Sequence, residues 1–347
     1  MRNTIILLVL FLLLGGGTYW FLTQNQDKTP TSMVGQDRLF KVKDVENITK
    51  IFIADRAGNT TTLTRKNAED WIYADKYPAR PGAIRNLLDA VQKIEMKYKP
   101  AEAAVKGMVA DLATNGIKVE IYKKGTQPVK TYYIGGSTSD ERGTYGIMEG
   151  SDQPYVVNIP SWEGNIRFRY SLLGDDWRDR AVFAEEVEDI QTVSVEYPLQ
   201  KNKSFKLERT GKYDFKVEPF YELTTPINRE VNQGKVEAYL TGFKNIGAED
   251  FKNEVPIQDS IRQLQPFVII SLTNKNAETR SARFFPILQD YHLYDEDNNA
   301  YYDKKKIVER YHVDVSNGDF MMVQNLVFQK LFWQYPNFFE QPKRVLN

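Results

Sequence analysis

The apolar positions of this chain fall into three regimes. Residues 4–22 carry no charge and are dominated by Leu, Ile and Phe from Ile5 to Leu14. At a rise of ~1.5 Å per residue such a run covers roughly the ~30 Å hydrocarbon core of a bilayer, which predicts a membrane-spanning helix. Residues 23–37 are polar, with Pro30 and Gly35 and no apolar period, and read as a tether. From Arg38 onward, short period-two stretches alternate with helical ones.

In the first stretch, Ile48 to Asp55 and Thr60 to Arg65 predict a hairpin across Ala57-Gly58-Asn59, and Trp71-Ile72-Tyr73 begins a third strand. Ile84, Leu87, Leu88, Val91 and Ile94 trace one helical face within a helix expected from about Pro81 to Tyr98. After a small-residue loop, strands follow at Ile117–Tyr122, Lys130–Ile134, Thr144–Met148 and Tyr155–Ile159. A second series then predicts strands at Ile190–Glu196, Ser204–Arg209 and Asp214–Glu218, and a helix over about Gln233–Gly247. Further strands are expected at Phe267–Thr273, Ser281–Phe285, His292–Asp295 and Tyr311–Asp314, and a closing helix over Phe320–Tyr335.

The two series match each other. Arg38, Val45, Glu46, Ile48, Ile51 and Ile53 line up with Arg180, Val187, Glu188, Ile190, Val193 and Val195 at one offset of 142 residues, the spacing from Arg38 to Arg180. The helical face recurs at Val236, Tyr239, Leu240, Phe243 and Ile246, and Tyr132 and Tyr133 match Phe284 and Phe285. Tyr155, Val157, Ile159 and Trp177 align with Tyr311, Val313, Val315 and Trp333. The expected fold class is therefore α+β: an N-terminal transmembrane helix, then two tandem, duplicated modules of antiparallel sheet plus one main helix each. The division is 1–22 for a cytoplasmic stub and transmembrane anchor, 23–37 for the linker, 38–177 for module 1 and 178–347 for module 2.

Charge and composition refine this picture. Arg2 before the apolar run holds the N-terminus in the cytoplasm by the positive-inside rule, which predicts a single-pass inner-membrane protein with its bulk in the periplasm and the lipid bilayer as partner of residues 4–22. A cleaved secretory signal ending near Gly15-Gly16-Gly17 is the competing reading. Lys plus Arg and Asp plus Glu both number 46, so no basic surplus points to nucleic acid. The absence of cysteine excludes a disulfide framework, a thiolate metal site and a cysteine nucleophile, and two histidines leave no multi-histidine metal centre.

Candidate chemistry is sparse. Gly135-Gly136-Ser137-Thr138-Ser139-Asp140 is glycine-rich after a strand, but Glu141-Arg142-Gly143-Thr144-Tyr145-Gly146 behind it points to another strand, so a hairpin turn is expected in place of a phosphate cradle. Asp295-Glu296-Asp297-Asn298-Asn299 with Asp303 departs from the hand-type calcium loop at Ala300 and Lys306, and reads as a solvated turn. His312 reads as an ordinary strand residue without an assignable acid partner. Trp177, Arg178, Asp179 and Arg180, at the module junction, form either a binding patch or an ion-paired hinge. Trp333, Tyr335 and Phe338 belong to the richest aromatic cluster, which serves either docking or core packing. No catalytic, cofactor or metal residue is assigned.

The run Asp176-Trp177-Arg178-Asp179-Arg180-Ala181-Val182-Phe183, followed by Val187-Glu188-Asp189-Ile190 and a strand, resembles a domain-of-unknown-function family of bacterial envelope proteins. Lys216-Val217-Glu218-Pro219 and the helix after it are similar to that family's strand, proline and helix. The resemblance implies an accessory or scaffolding role beside gliding-motility-type ABC transporter components, and supplies no catalytic residues. The expected function is a non-enzymatic, anchored periplasmic scaffold that binds envelope proteins, ABC transporter subunits among them. A glycan-binding protein or glycan hydrolase of the envelope is the alternative.

Overall fold

The computed structural model describes Gly35 and residues 38–295 and 300–340, with side chains for all of these except 291–295 and 300–305. The chain divides into two compact units, Met1–Asp179 and Arg180–Asn347.

The first unit is built on β1 (Lys50–Ala54), β2 (Thr60–Arg65), β3 (Trp71–Tyr73), β4 (Tyr77–Pro78), helix α1 (Pro81–Lys93), β5 (Glu95–Tyr98), helix α2 (Glu102–Asn115), β6 (Ile117–Tyr122), β7 (Lys130–Ser137), β8 (Thr144–Met148) and β9 (Tyr155–Asn158). Its nine strands lie in the order β4-β3-β2-β1-β6-β7-β8-β9-β5. Period-two alternation fixes which face is dry: Ile51, Ile53, Leu63, Val119 and Ile121 are buried, with Phe52, Thr62 and Glu120 between them on the wetter face. The dry face meets Ala83, Ile84, Leu87, Ala90 and Val91 of α1, which starts on Pro81, a residue suited to the first helical turn because it needs no N–H there.

The second unit comprises β10 (Ala181–Phe183), β11 (Ile190–Glu196), β12 (Phe205–Arg209), β13 (Phe215–Pro219), helix α3 (Gln233–Leu240), β14 (Ile246–Gly247), β15 (Asp250–Phe251), helix α4 (Gln258–Arg262), β16 (Val268–Asn274), β17 (Thr279–Asp295), β18 (Ala300–Val315), β19 (Phe320–Gln324) and helix α5 (Asn325–Phe328). Its main sheet runs β13-β12-β11-β16-β17-β18-β19-β15, and β10 pairs with β14. With β4 set aside, this order repeats that of the first unit strand for strand. Asn232 caps α3 by accepting the Lys235 N–H at 3.0 Å.

One arginine is repeated with its whole setting. Arg65 donates from Nε to the Ile48 carbonyl at 2.7 Å, from Nη2 to Val45 at 2.8 Å and from Nη1 to Ala68 at 2.8 Å, and its guanidinium lies 4.6 Å from the Trp71 ring centre. Arg209 donates likewise to the carbonyls of Ile190, Val187 and Lys212, and lies 4.5 Å from the Phe215 ring. In each unit this fork ties the second strand to the 3-10 turn leading into the first, at Val45–Asn47 and Val187–Asp189.

The fold is mostly antiparallel sheet with few helices, 24% helical and 36% strand, which corrects the α+β expectation of one main helix per sheet module behind a transmembrane helix. Three segments depart from the expectation. The first helix stops at Lys93, and Glu95–Tyr98 pairs with β9. The loop before β6 is the helix α2. Phe320–Gln324, expected as the start of a closing helix, is a strand paired with β18, and only Asn325–Phe328 is α-helical there. In each strand, sheet pairing prevailed over an apolar spacing that also suits a helix.

The run 4–22, and with it the tether apart from Gly35, lies outside the described residues. Among the described residues no helix is long and apolar enough to cross a membrane. The described residues thus give the expected single-pass inner-membrane arrangement no support.

Helix α2 explains Gly135-Gly136. The Gly136 N–H donates to Asp111 Oδ2 at 2.6 Å, and a Cβ on Gly135 would stand 2.6 Å from that oxygen, 3.0 Å from Leu112 Cδ2 and 3.1 Å from Tyr145 Cβ. The pair is the close approach of α2 to β7, inside the strand, and the turn comes later, where Thr138 and Gly143 exchange hydrogen bonds. Gly135→Ala is expected to cost about 1–3 kcal/mol in a denaturant titration, because the Asp111 carboxylate that accepts the Gly136 N–H must turn away and Tyr145 Cβ sits close to its own strand's backbone. Gly107→Ala, on α2 with nothing within 4 Å, should gain up to about 1 kcal/mol.

Candidate functional site

The shared strand order makes the differences between the units informative. Seven residues, 74–80, connect β3 to α1, whereas thirteen, 220–232, connect β13 to α3. The longer connection walls a cleft of about 800 Å³, together with Lys201, Asn202, Tyr335 and Pro336.

Phe220 and Tyr221 are held by ordinary strand and side-chain contacts. The Phe220 N–H donates to the Ser204 carbonyl at 3.1 Å, one residue past the β12–β13 ladder. The adjacent Tyr221 ring stands edge-on to Phe220 at 5.0 Å, and its hydroxyl donates to Glu196 on β11. Burial, with that hydrogen bond to Glu196, raises the Tyr221 phenol to about 12, so it stays protonated across the physiological range. Lys201 places its ammonium 5.1 Å from the Tyr221 ring. Leu223 is fully exposed, at 101%.

Tyr335 closes the floor. Its hydroxyl accepts the Ile227 N–H at 3.1 Å and its ring stands edge-on to Phe339 at 5.2 Å, so the long connection is tied to the 3-10 turn Tyr335–Phe338. A second cleft of about 630 Å³ shares Ile227 and Tyr335 and adds Phe215, Glu218, Arg229, Glu230 and Phe339. Glu222 is the one carboxylate among the described residues lining the first cleft. The described residues hold no group of three or more His, Asp or Glu placed to ligate a metal. The walls offer apolar and aromatic contact with a few polar groups at the edge, which suits binding.

The other residues singled out in the sequence are dispersed. Trp177 is fully buried, its indole N–H donating to the Leu172 carbonyl at 2.8 Å. Arg178 is also buried, with its guanidinium 3.8 Å from the Tyr77 ring and 3.2 Å from Asp175 Oδ1. The Asp179 N–H donates to Pro78, and Arg180 bonds to Glu249 and Ala248 within the second unit. A buried Arg178 offers no free binding patch. Phe338 is buried among Phe205, Tyr239 and Trp333, and Trp333 is half-buried with its carbonyl accepting the Tyr197 hydroxyl at 3.0 Å. Of Trp333, Tyr335 and Phe338, Tyr335 lines both clefts. His312 stacks on Phe320 at 5.3 Å, and burial, with the charge of Lys252, lowers its pKa. In the acidic turn, residues 296–299 lie outside the described residues.

The register of the closing segment also differs from the expectation. In the first unit the Arg80 N–H donates to the Trp177 carbonyl and Ala79 bridges Arg178; in the second, Asn232 donates to Phe338 and Val231 bridges Phe339. Phe338, not Trp333, thus fills the role of Trp177.

A family profile described as "Domain of unknown function (DUF4340)" matches residues 71–262, more than half of the chain. The chain belongs to the DUF4340 family. The DUF4340 match runs from β3 through α4 and so includes the long connection and its aromatic pair, but not Tyr335. Comparison with curated proteins and with solved structures gave no match in either.

Sequence reading missed Phe220, Tyr221, Leu223 and Ile227. A signal was present: the offset between the two series rises from 142 at the first strand to 152 at the helix, which marks added residues between them.

Proposed function

We propose that this DUF4340 protein is a non-enzymatic accessory or scaffold protein that docks other proteins through the second unit. The observation that carries the reading is the extra length of 220–232 on an otherwise repeated scaffold, presenting Phe220, Tyr221 and an exposed Leu223 around a cleft. Aromatic side chains give contact area at low entropic cost, as protein-docking surfaces do. Subunits of an ABC transporter complex are the partner class that the family resemblance implies.

Glycan binding is the second reading, favoured by the aromatic walls. Hydrolysis would need two carboxyls about 5–9.5 Å apart across the bond.

A photocrosslinking amino acid at position 223, in the full chain in intact cells, tests the proposal. One stoichiometric adduct with a transporter subunit is expected, reduced at least tenfold by Tyr221→Ala. Recovery of the chain without adduct, together with retention on a glycan column, would replace it with the second reading.

A further inference from the structure

Strands β17 and β18 outgrow their sheet. Strand β16 accompanies β17 only as far as Phe284, and β19 accompanies β18 only as far as Arg310. From Pro286 to Asp295, β17 pairs with β18 alone among the described residues, down to Asp295↔Ala300. Ten residues at ~3.4 Å each make a two-stranded ribbon of about 34 Å. In the first unit the counterpart β7 ends at Ser137, three residues past Ile134, the last residue paired with β6. The shared scaffold therefore does not require the ribbon. A lone two-stranded ribbon is marginal in water, and a third or fourth strand would stabilise it.

The two edges of the ribbon are unlike. Register shifts at Ile287/Leu288 and His292/Leu293 leave Glu309 and Asp303 as extra residues on β18, and Lys304, Lys305 and Lys306 lie between them. Bulges and lysines are the devices by which proteins keep an edge from pairing. Strand β17 has neither from Ile287 to Asp295: it reads Ile-Leu-Gln-Asp-Tyr-His-Leu-Tyr-Asp, and Leu288 is 57% exposed.

We propose that β17 pairs antiparallel with β17 of a second copy of this chain, about a two-fold axis at Tyr291. Backbone geometry supplies the first argument, because a two-fold axis between antiparallel strands must set one residue opposite itself. The sequence supplies the second. An axis at Asp290 would set like charges face to face, whereas an axis at Tyr291 sets Asp290 opposite His292 and Leu288 opposite Tyr294, each twice. The product is a four-stranded sheet whose outer edges are the bulged, lysine-bearing β18 strands.

The chain has no cysteine, so single replacements report pairing directly. Two differently tagged copies of the full chain are co-expressed and oxidised in intact cells. Tyr291→Cys should give a disulfide-linked dimer carrying both tags, because directly opposed Cα atoms lie about 4.5–5.5 Å apart, within the span that a disulfide bridges. Leu288→Cys alone should crosslink at least tenfold less, and Leu288→Cys co-expressed with Tyr294→Cys should crosslink strongly. Co-purification of the two tags without oxidation should fall at least tenfold in Tyr291→Lys, which opposes two ammonium groups at the axis. Equal crosslinking at 288 and 291, stronger crosslinking from Lys305→Cys on β18, or a Tyr291→Cys adduct only with another protein would overturn the proposal.

Discussion

Trp177→Ala is expected to cost the first unit about 3–5 kcal/mol, the range for truncating a buried large aromatic. Stabilities of whole domains run about 5–15 kcal/mol, so this one change removes a large share. The side chain is fully buried in the core formed with Ile84, Leu87 and Tyr170, and its backbone carbonyl receives the Arg80 N–H at 2.7 Å, just before α1. Truncation leaves a cavity and an unpaired Leu172 carbonyl. Trp177→Phe should recover roughly half of the loss, since it fills most of the volume but still lacks the indole N–H. The same experiment tests the register of the closing segment. Phe338→Ala should cost the second unit as much as Trp177→Ala costs the first, and Trp333→Ala, at a half-buried site, about 1–2 kcal/mol. A larger loss from Trp333→Ala than from Phe338→Ala would restore the alignment read from sequence.

That alignment slipped for a physical reason. Tyr155, Val157 and Ile159 begin in β9, whereas Tyr311, Val313 and Val315 lie in β18, the topological counterpart of β8. Every half-buried strand alternates with period two, so neighbouring strands of one meander look alike in sequence. The extra length of the ribbon strands, 17 and 16 residues against 8 and 5 in β7 and β8, was absorbed by pairing β9 with the wrong neighbour. Where elements differ in period, no such slip occurred: the helical faces of α1 and α3 correspond in both sequence and topology. Strands β2, β6, β8 and β11 have the limits their alternation predicts, and β3 begins where expected. Helix α2 escaped because its stripe is weak, with only Met108 and Leu112 buried, and it packs instead through the bare backbone of Gly135 and Gly136.

The candidate site was less legible than the fold. Aromatic density alone drew attention to Trp333, Tyr335 and Phe338, and density does not distinguish a core from a rim. Tyr335 differs from Phe338 by one hydroxyl, and that hydroxyl holds the Ile227 N–H beside the cleft. The 220–232 connection carries no periodicity, so its aromatic pair stood out only once its length was compared with that of 74–80. Arg178 drew attention through its charge, yet it is buried over Tyr77.

Arg209→Met is expected to cost the second unit about 2–4 kcal/mol. Three carbonyls, of Ile190, Val187 and Lys212, receive one guanidinium, and charged donors contribute about 1.5–3 kcal/mol each before non-additivity reduces the sum. Methionine keeps much of the apolar stem against Phe215 and removes only the fork. Arg209→Lys should recover less than half, because an ammonium cannot span three carbonyls in the plane that the guanidinium occupies. Hydrogen exchange locates the effect: the Asp189 N–H, bonded to the Glu186 carbonyl at 2.9 Å in the turn that Arg209 holds, should lose protection before the interior of β11 does. Arg65→Met should do the same to the turn at Val45–Asn47, since its hydrogen bonds to Ile48, Val45 and Ala68 repeat the pattern. Full rescue by lysine at both positions would mean that charge alone matters there. Loss confined to the arginine's own unit, with lysine a poor substitute, would show that each repeat fastens its first two strands by the geometry of the fork.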